Sequence, residues 1–168
     1  STGFGTEDFE TWPSFSKTII FFMFFIGGSA GSTTGALKII RTVLVLKYLA
    51  VEVRRLIHPK GIFLLSIGGK VIPDNVVSNT LGFYLFYIFI FVIASLSFSA
   101  MGIDLVTATT ASASALGNIG PGLGSIGPTD NWGHFPVLAK WIASFCMLLG
   151  RLEIFTITVL FSRSFWRQ

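Results

Sequence analysis

Three short stretches of glycine and small hydroxyl residues hold the chemistry this sequence can offer. They are Ser1-Thr-Gly-Phe-Gly5, Gly27-Gly-Ser-Ala-Gly-Ser-Thr-Thr-Gly35 and Leu116-Gly-Asn-Ile-Gly-Pro-Gly-Leu-Gly124. Glycines leave backbone carbonyls exposed, and such carbonyls can replace the hydration shell of a cation. The third stretch follows Asp104-Leu-Val-Thr-Ala-Thr-Thr-Ala-Ser-Ala-Ser-Ala115, twelve residues rich in small side chains. That run is too short to cross a bilayer. It fits a re-entrant helix capped by Asp104, with its negative C-terminal end aimed at a cation. Irregular backbone at membrane depth is tolerated only against protein or a water-filled cavity. A re-entrant helix followed by glycines, with helices on both sides, describes a pore loop.

The same residues admit other readings. Gly27/Gly31 and Gly31/Gly35 form two overlapping Gly-x-x-x-Gly patterns, which simple helix packing would use. The Ser-Thr-Thr cluster between them adds hydroxyls that compete for the backbone. A phosphate loop needs a following Gly-Lys-Ser/Thr, which is missing. Gly122-Leu-Gly-Ser-Ile-Gly127 has dinucleotide-loop spacing but follows no strand and opens no clear helix. His58 and His134 read as loop residues rather than a metal pair. The single cysteine, Cys146, excludes a disulfide framework and a cysteine-based zinc site within this chain. No nucleophile, base and orienter set is visible, so an enzyme is not expected, nor a covalent cofactor.

The elements that must position these stretches are apolar. Of 168 residues, 52% are hydrophobic and 15% aromatic, and mean hydropathy is +0.74. Only 12% are charged, against about 25% in a soluble domain. Asn75 to Ile103 contains no charged residue over 29 positions, more than the ~20 that span a bilayer core. A second candidate runs from Pro136 to Phe161 and contains Lys140, Arg151 and Glu153. A third begins at Pro13 and extends to about Ile57, interrupted over Phe24–Gly35. It resumes over Ala36–Leu56 with Lys38, Arg41, Lys47, Arg54 and Arg55.

Charge fixes an orientation. Lys38 to Lys70 holds seven Lys or Arg and one acid, Glu52, and the tail adds Arg163 and Arg167. Ser1 to Glu10 holds Glu7, Asp8 and Glu10, and Gly102 to Pro136 holds Asp104 and Asp130 without Lys or Arg. The positive-inside rule places the basic region and tail in the cytoplasm and the two acidic regions outside, which three crossings satisfy. The net charge of +4 is then topology rather than a nucleic-acid surface. The basic region also reads, alternatively, as a docking surface for a cytoplasmic partner. Gly68-Gly69 between apolar runs predicts a short hairpin, and Pro73-Asp74 opens the long helix with an acid in its first turn. The chain starts at Ser1 without a methionine or a signal-peptide pattern, and reads as a piece of a longer protein.

The sequence repeats. A shift of 123 residues aligns Thr6 with Thr129, Glu7 with Asp130, Pro13 with Pro136, Lys17 with Lys140, Phe22 with Phe145 and Gly27 with Gly150, without a gap. Arg151 then aligns with Gly28, at the start of the Gly-Ser-Thr stretch. An arginine at this depth is costly in lipid and is expected to face a cavity, level with that stretch and within hydrogen-bonding reach of its carbonyls. Pairing of Arg151 and Glu153 with other helices is the plainer reading. Lys17 and Lys140 are expected to be anchors at the outer membrane face.

Ser1–Gly5, Gly27–Gly35, Asn118-Ile-Gly-Pro-Gly-Leu-Gly124 and Leu148-Leu-Gly-Arg-Leu-Glu-Ile-Phe155, in this order, resemble the Trk/Ktr potassium transporter family, closest to its TrkH-type pore subunit of bacteria. The match covers essentially the whole chain. The resemblance implies an all-α membrane protein of potassium-channel-like helix–pore loop–helix repeats, four in one chain around one pathway, with a short cytoplasmic β-hairpin here. Residues 1–57 would end the third repeat, 58–73 would form the hairpin linker, and 74–168 would be the fourth repeat. The key filter glycines would be Gly3 and Gly120, flanked by Ser1, Thr2 and Phe4 and by Asn118, Ile119 and Pro121. The interrupted stretch, Gly27, Gly28, Ser29, Ala30, Gly31, Ser32, Thr33, Thr34 and Gly35, would be an intramembrane gate loop facing Arg151.

The function implied is potassium uptake across the bacterial plasma (inner) membrane, with this chain supplying about half of one pore. The implied partners are the remainder of its own four-repeat chain, a second copy in a homodimer, a cytoplasmic nucleotide-binding regulatory subunit of the TrkA type, and membrane lipid. Potassium is the transported ion. The alternatives are a sodium-permeable relative, a tetrameric two-helix cation channel, or a non-conducting membrane scaffold that uses its glycines only for packing.

Overall fold

The computed structural model describes residues 2–29, 31–32, 34–59, 61 and 63–151. Ser1, Ala30, Thr33, Glu153, Arg163 and Arg167, all singled out from the sequence, lie outside the described residues. The described chain is mostly helical: α1 (Ser14–Met23), α2 (Ile39–Ile57), α3 (Asp74–Ala100), α4 (Leu105–Gly117) and α5 (Val137–Arg151). A two-stranded antiparallel hairpin, β1 (Ser66–Ile67) and β2 (Lys70–Val71), joins α2 to α3.

The long charge-free run is α3. Pro73 precedes its first turn in extended conformation and Asp74 lies within that turn, where an acid favours the positive helix end. At 27 residues it is about 40 Å long, enough to cross the ~30 Å hydrocarbon core with some tilt. Among the described residues it is the one helix long and apolar enough to do so. It buries one stripe, with Val77, Thr80, Phe83, Tyr87, Ala94 and Phe98 inside, and exposes Leu85, Phe89 and Leu96. Apolar residues on every side suit a helix whose solvent is lipid.

The short run after Asp104 is α4, and it lies at the centre. Asp104 caps it, accepting a hydrogen bond from the Thr107 N–H at 3.0 Å. From Thr110 to Gly117 every residue is buried, packed between α3 and α5. Alanine, serine and threonine make this possible, because small side chains let helix axes approach closely. Its hydroxyls are satisfied locally: Ser112 Oγ donates to the Ala108 carbonyl at 2.9 Å and Thr110 Oγ1 to that of Val106 at 2.8 Å. Helix α5 covers α4 with Ala139, Ala143, Cys146 and Leu149.

The third apolar candidate is broken. Helix α1 stops at Met23, and the chain at Ile26 and Gly27 lies beside Leu37. Gly27 N–H donates to the Leu37 carbonyl at 2.8 Å, and Leu37 N–H donates to that of Phe25 at 3.2 Å, a parallel bridge. The Gly-x-x-x-Gly helix-packing reading needs a helix here, and the described residues between Phe24 and Lys38 form none. The hairpin forms where Gly68-Gly69 placed it, with both glycines at positive φ, +58° and +79°, as a two-residue turn requires. Its surroundings are basic: Lys47 Nζ donates to the Ser66 carbonyl at 3.0 Å and Arg55 to that of Phe63 at 3.3 Å. The Arg41 guanidinium stacks 4.2 Å from the Phe83 ring centre. Part of the basic region thus ties α2 to its neighbours.

Candidate functional site

The candidate filter forms at the C-terminal end of α4. The helix stops because Asn118 turns left-handed (φ +53°), a conformation asparagine tolerates better than most residues. Gly120 follows at φ +108°, with its N–H donating to Ser114 Oγ at 3.0 Å. Serine on the last turn of α4 therefore sets the glycine that comes after it. The first glycine stretch meets this one directly. Gly3 has φ +78°, and a Cβ there would overlap the Ile119 carbonyl oxygen and lie 3.4 Å from Pro121 Cδ. Gly3 and Ile119–Pro121, more than 110 positions apart in the sequence, are in contact.

Two members of the sequence-derived filter set do something other than offer a carbonyl. The Asn118 side chain turns away to α5, where Nδ2 donates to the Met147 carbonyl at 2.9 Å. The Gly120 carbonyl accepts from Trp132 Nε1 at 3.0 Å. Phe4 is 93% exposed and Thr2 is exposed.

The turn after Gly120 is held by side chains. Three consecutive N–H groups each find a side-chain oxygen: Leu123 donates to Thr110 Oγ1 at 3.1 Å, Gly124 to Glu10 Oε1, and Ser125 to Thr107 Oγ1 at 3.1 Å. Thr107 also donates to Asp104, which holds that carboxyl below the ordinary carboxylate range, the side-chain bond contributing more than the backbone one. Ser125 Oγ reaches His134 Nε2 at 2.9 Å, so this histidine braces the same turn.

The loop from Gly27 to Gly35 rests on the same helix end. Ala36 N–H donates to the Leu116 carbonyl at 3.4 Å, and a Cβ on Gly35 would lie 2.7 Å from the Gly117 carbonyl oxygen and 3.0 Å from Asn118 Nδ2. The loop's hydroxyls serve its own backbone: Gly28 N–H donates to Thr34 Oγ1 at 2.9 Å and Thr34 N–H to Ser32 Oγ at 3.2 Å. Ser29 and Gly31 are exposed, and Gly31 has nothing within 4 Å of where a Cβ would sit. On the other flank, a Cβ on Gly150 would overlap the Leu116 carbonyl oxygen. Arg151, exposed at the end of described α5, is the next residue. The foot of the loop and the neighbour of Arg151 thus share one support, residues 116–118. At the opposite end, Lys140 Nζ donates to the Gly133 carbonyl at 2.7 Å, and Lys17 lines a cavity beside Glu10.

Sequence reasoning did not single out Trp132, Thr107, Thr110 or Ser114, and it read Glu10 only as outer-side charge. The threonines and Ser114 carry a weak signal, hydroxyls in a small-residue helix. The Trp132 and Glu10 contacts span loops and have none.

Comparison with known proteins identifies the family. The family model described as TrkH, cation transport protein, matches residues 1–168. The Trk system potassium uptake protein TrkH of Halomonas elongata is 42% identical over all 168 residues, and that of Escherichia coli K12 is 38% identical. In both cases the match covers 34% of the relative, so the chain spans about a third of their length. The crystal structure of the potassium transporter TrkH from Vibrio parahaemolyticus superposes with a TM-score of 0.89 at 41% identity, over 98% of this chain and 35% of that one. With the family model matched from end to end and the same fold at this identity, the chain belongs to the TrkH family of cation transport proteins.

Proposed function

We propose that this chain forms about half of one potassium pathway in an inner-membrane uptake protein. Residues 1–57 end the third of four pore repeats, 58–73 form the cytoplasmic hairpin linker, and 74–168 form the fourth repeat. Potassium crosses down its electrochemical gradient. It passes backbone carbonyls of the filter segments around Gly3 and Gly120, then the loop Gly27–Gly35 and Arg151. The observation that carries this reading is the meeting of Gly3 with Ile119–Pro121 at the C-terminal end of an enclosed short helix. The names of the relatives, potassium uptake proteins, favour potassium as the ion.

The enclosed helix has its negative end toward the two glycine segments, which stabilises a cation there. Glycines at positive φ aim successive carbonyls in directions an ordinary strand does not reach. Asn118 and Trp132 act as struts in this scheme: the Asn118 amide ties the end of α4 to α5, Trp132 holds the Gly120 carbonyl, and together they fix the backbone between them. Arg151 places positive charge beside the loop, which opposes a passing cation until loop and arginine rearrange. Two filter segments cannot surround an ion, so the other two repeats complete the site. The resemblance adds a homodimer, a TrkA-type nucleotide-binding regulatory subunit on the cytoplasmic side, and multi-pass insertion in bacterial membranes.

Substituting Gly120→Ser in the full-length transporter tests the filter. Space is open at that position, but φ +108° strains any L side chain. The expected result is weaker discrimination of potassium from sodium in proteoliposome flux. Unaltered selectivity would remove Gly120 from the filter.

A further inference from the structure

The turn that follows the candidate filter of the fourth repeat is fastened from two directions. Thr107 and Thr110, one helical turn apart on α4, take the N–H groups of Ser125 and Leu123. The N–H between them, on Gly124, goes to Glu10 Oε1 across 114 positions of sequence. Glu10 comes from the segment ahead of α1, where a 3-10 turn (Phe9–Thr11) capped by Asp8 presents it. The Asp8 side chain accepts the Glu10 N–H at 2.9 Å. The carboxylate is half-buried, and a Cβ on Gly127 would lie 3.0 Å from both Glu10 Cγ and Cδ. Glycine at 127 therefore leaves the room that Glu10 occupies.

We infer that Glu10 is a positioning residue for ion discrimination, its carboxylate locking the post-filter turn of the fourth repeat to the third. A charge-assisted hydrogen bond to a backbone N–H is about twice as strong as a neutral one. Its loss leaves Gly124 N–H unsatisfied in a half-buried site. The two threonines hold the turn to its own repeat, and Glu10 alone among the described residues ties the N–H row to the other one. Without it, the turn keeps its shape but loses its registration against Gly3. Filter carbonyls stand in for an ion's hydration shell, so the registration of the segments that carry them bears on selectivity. The inference rests on the filter reading above.

The test uses the full-length transporter in liposomes, with potassium and sodium flux measured separately. Glu10→Ala is expected to lower the potassium-to-sodium ratio by about tenfold, the scale of one hydrogen bond to a charged group. Glu10→Gln retains an acceptor oxygen and is expected to recover the ratio to within about threefold. Gly127→Ala, which crowds the carboxylate without removing it, moves the ratio in the same direction as Glu10→Ala. A purely structural role would reduce the amount of folded protein and the flux of both ions together, leaving the ratio untouched. Should Glu10→Ala fail to accumulate, Gly127→Ala decides alone. An unchanged ratio in Glu10→Ala or Gly127→Ala, with Gly120→Ser lowering it in parallel, overturns the inference and leaves the filter reading standing. An unchanged ratio in all three overturns both.

Discussion

Residues 13–27 and 136–150 begin alike and end differently. Pro13, Lys17, Phe22 and Gly27 align with Pro136, Lys140, Phe145 and Gly150. Helix α1 nevertheless stops at Met23, whereas α5 runs through Gly150 to Arg151. The aligned glycines do the same job in both places, which is to admit a carbonyl oxygen: Gly35 and Leu37 carbonyls against Gly27, the Leu116 carbonyl against Gly150. What differs is which backbone groups compete for the helix. Near the first glycine, Leu37 takes the Gly27 N–H and donates to Phe25, and the Ser32 and Thr34 hydroxyls accept from backbone N–H groups of the loop. Near the second, Arg151 follows in place of Gly28 and still belongs to the helix. The lesson is that one glycine makes a close contact, while a run of glycines and hydroxyls makes a loop.

The comparison breaks most decisively at Gly150. Gly150→Ala places a Cβ on the Leu116 carbonyl oxygen, a clash between backbone and helix that no rotamer relieves. A loss of about 3 kcal/mol is expected, at the upper end of overpacking costs, read as a lower melting temperature of the full-length protein and absent uptake. Arg151→Ala is expected to raise potassium flux on the order of tenfold, or about 1.4 kcal/mol, less than one charge at 4 Å can exert in a partly screened site. Unchanged uptake in transport-deficient cells would argue against its gating role.

Gly35→Ala sharpens the loop side. Its Cβ would press on the Gly117 carbonyl and on Asn118 Nδ2, so about 1–2 kcal/mol of destabilisation is expected. A flux leak should accompany it as the loop lifts from α4. The shared support can be weakened from its far end. Asp104→Ala removes the cap of α4 and is expected to cost about 1 kcal/mol in thermal unfolding. The Asp104 carboxyl is held below the ordinary range by Thr107. Its stabilisation is therefore fully present above the ordinary aspartate value near ~3.9 and is lost as pH falls through the depressed one. The acid limb of a stability profile should show that loss in the parent and lack it in Asp104→Ala. The smallest effect belongs to Gly31→Ala: with open space around it, a change within about 0.5 kcal/mol is expected. A large effect there would mean that the loop tip touches something in the assembled transporter.

What the sequence determined alone was the set of features that local physics decides. Hydropathy over 29 charge-free residues gave α3. An aspartate ahead of small residues gave the capped helix α4, and a Gly-Gly pair gave the hairpin. The break after Met23 was legible because glycine and hydroxyl residues disfavour a helix within a few positions of themselves. Backbone propensity, capping and turns act over one or two helical turns, so a linear reading contains them.

Only the tertiary structure decided which distant groups meet. Gly3 against Ile119, Glu10 on Gly124, Trp132 on Gly120, Asn118 on Met147 and Gly150 on Leu116 have no sequence signature beyond residue type. Each depends on how α1, α4 and α5 are placed in space. Asn118 shows the difference most plainly. The family resemblance implies a filter role for its backbone, while its side-chain amide is bonded to α5, because a part-buried amide must find an acceptor wherever its neighbours supply one.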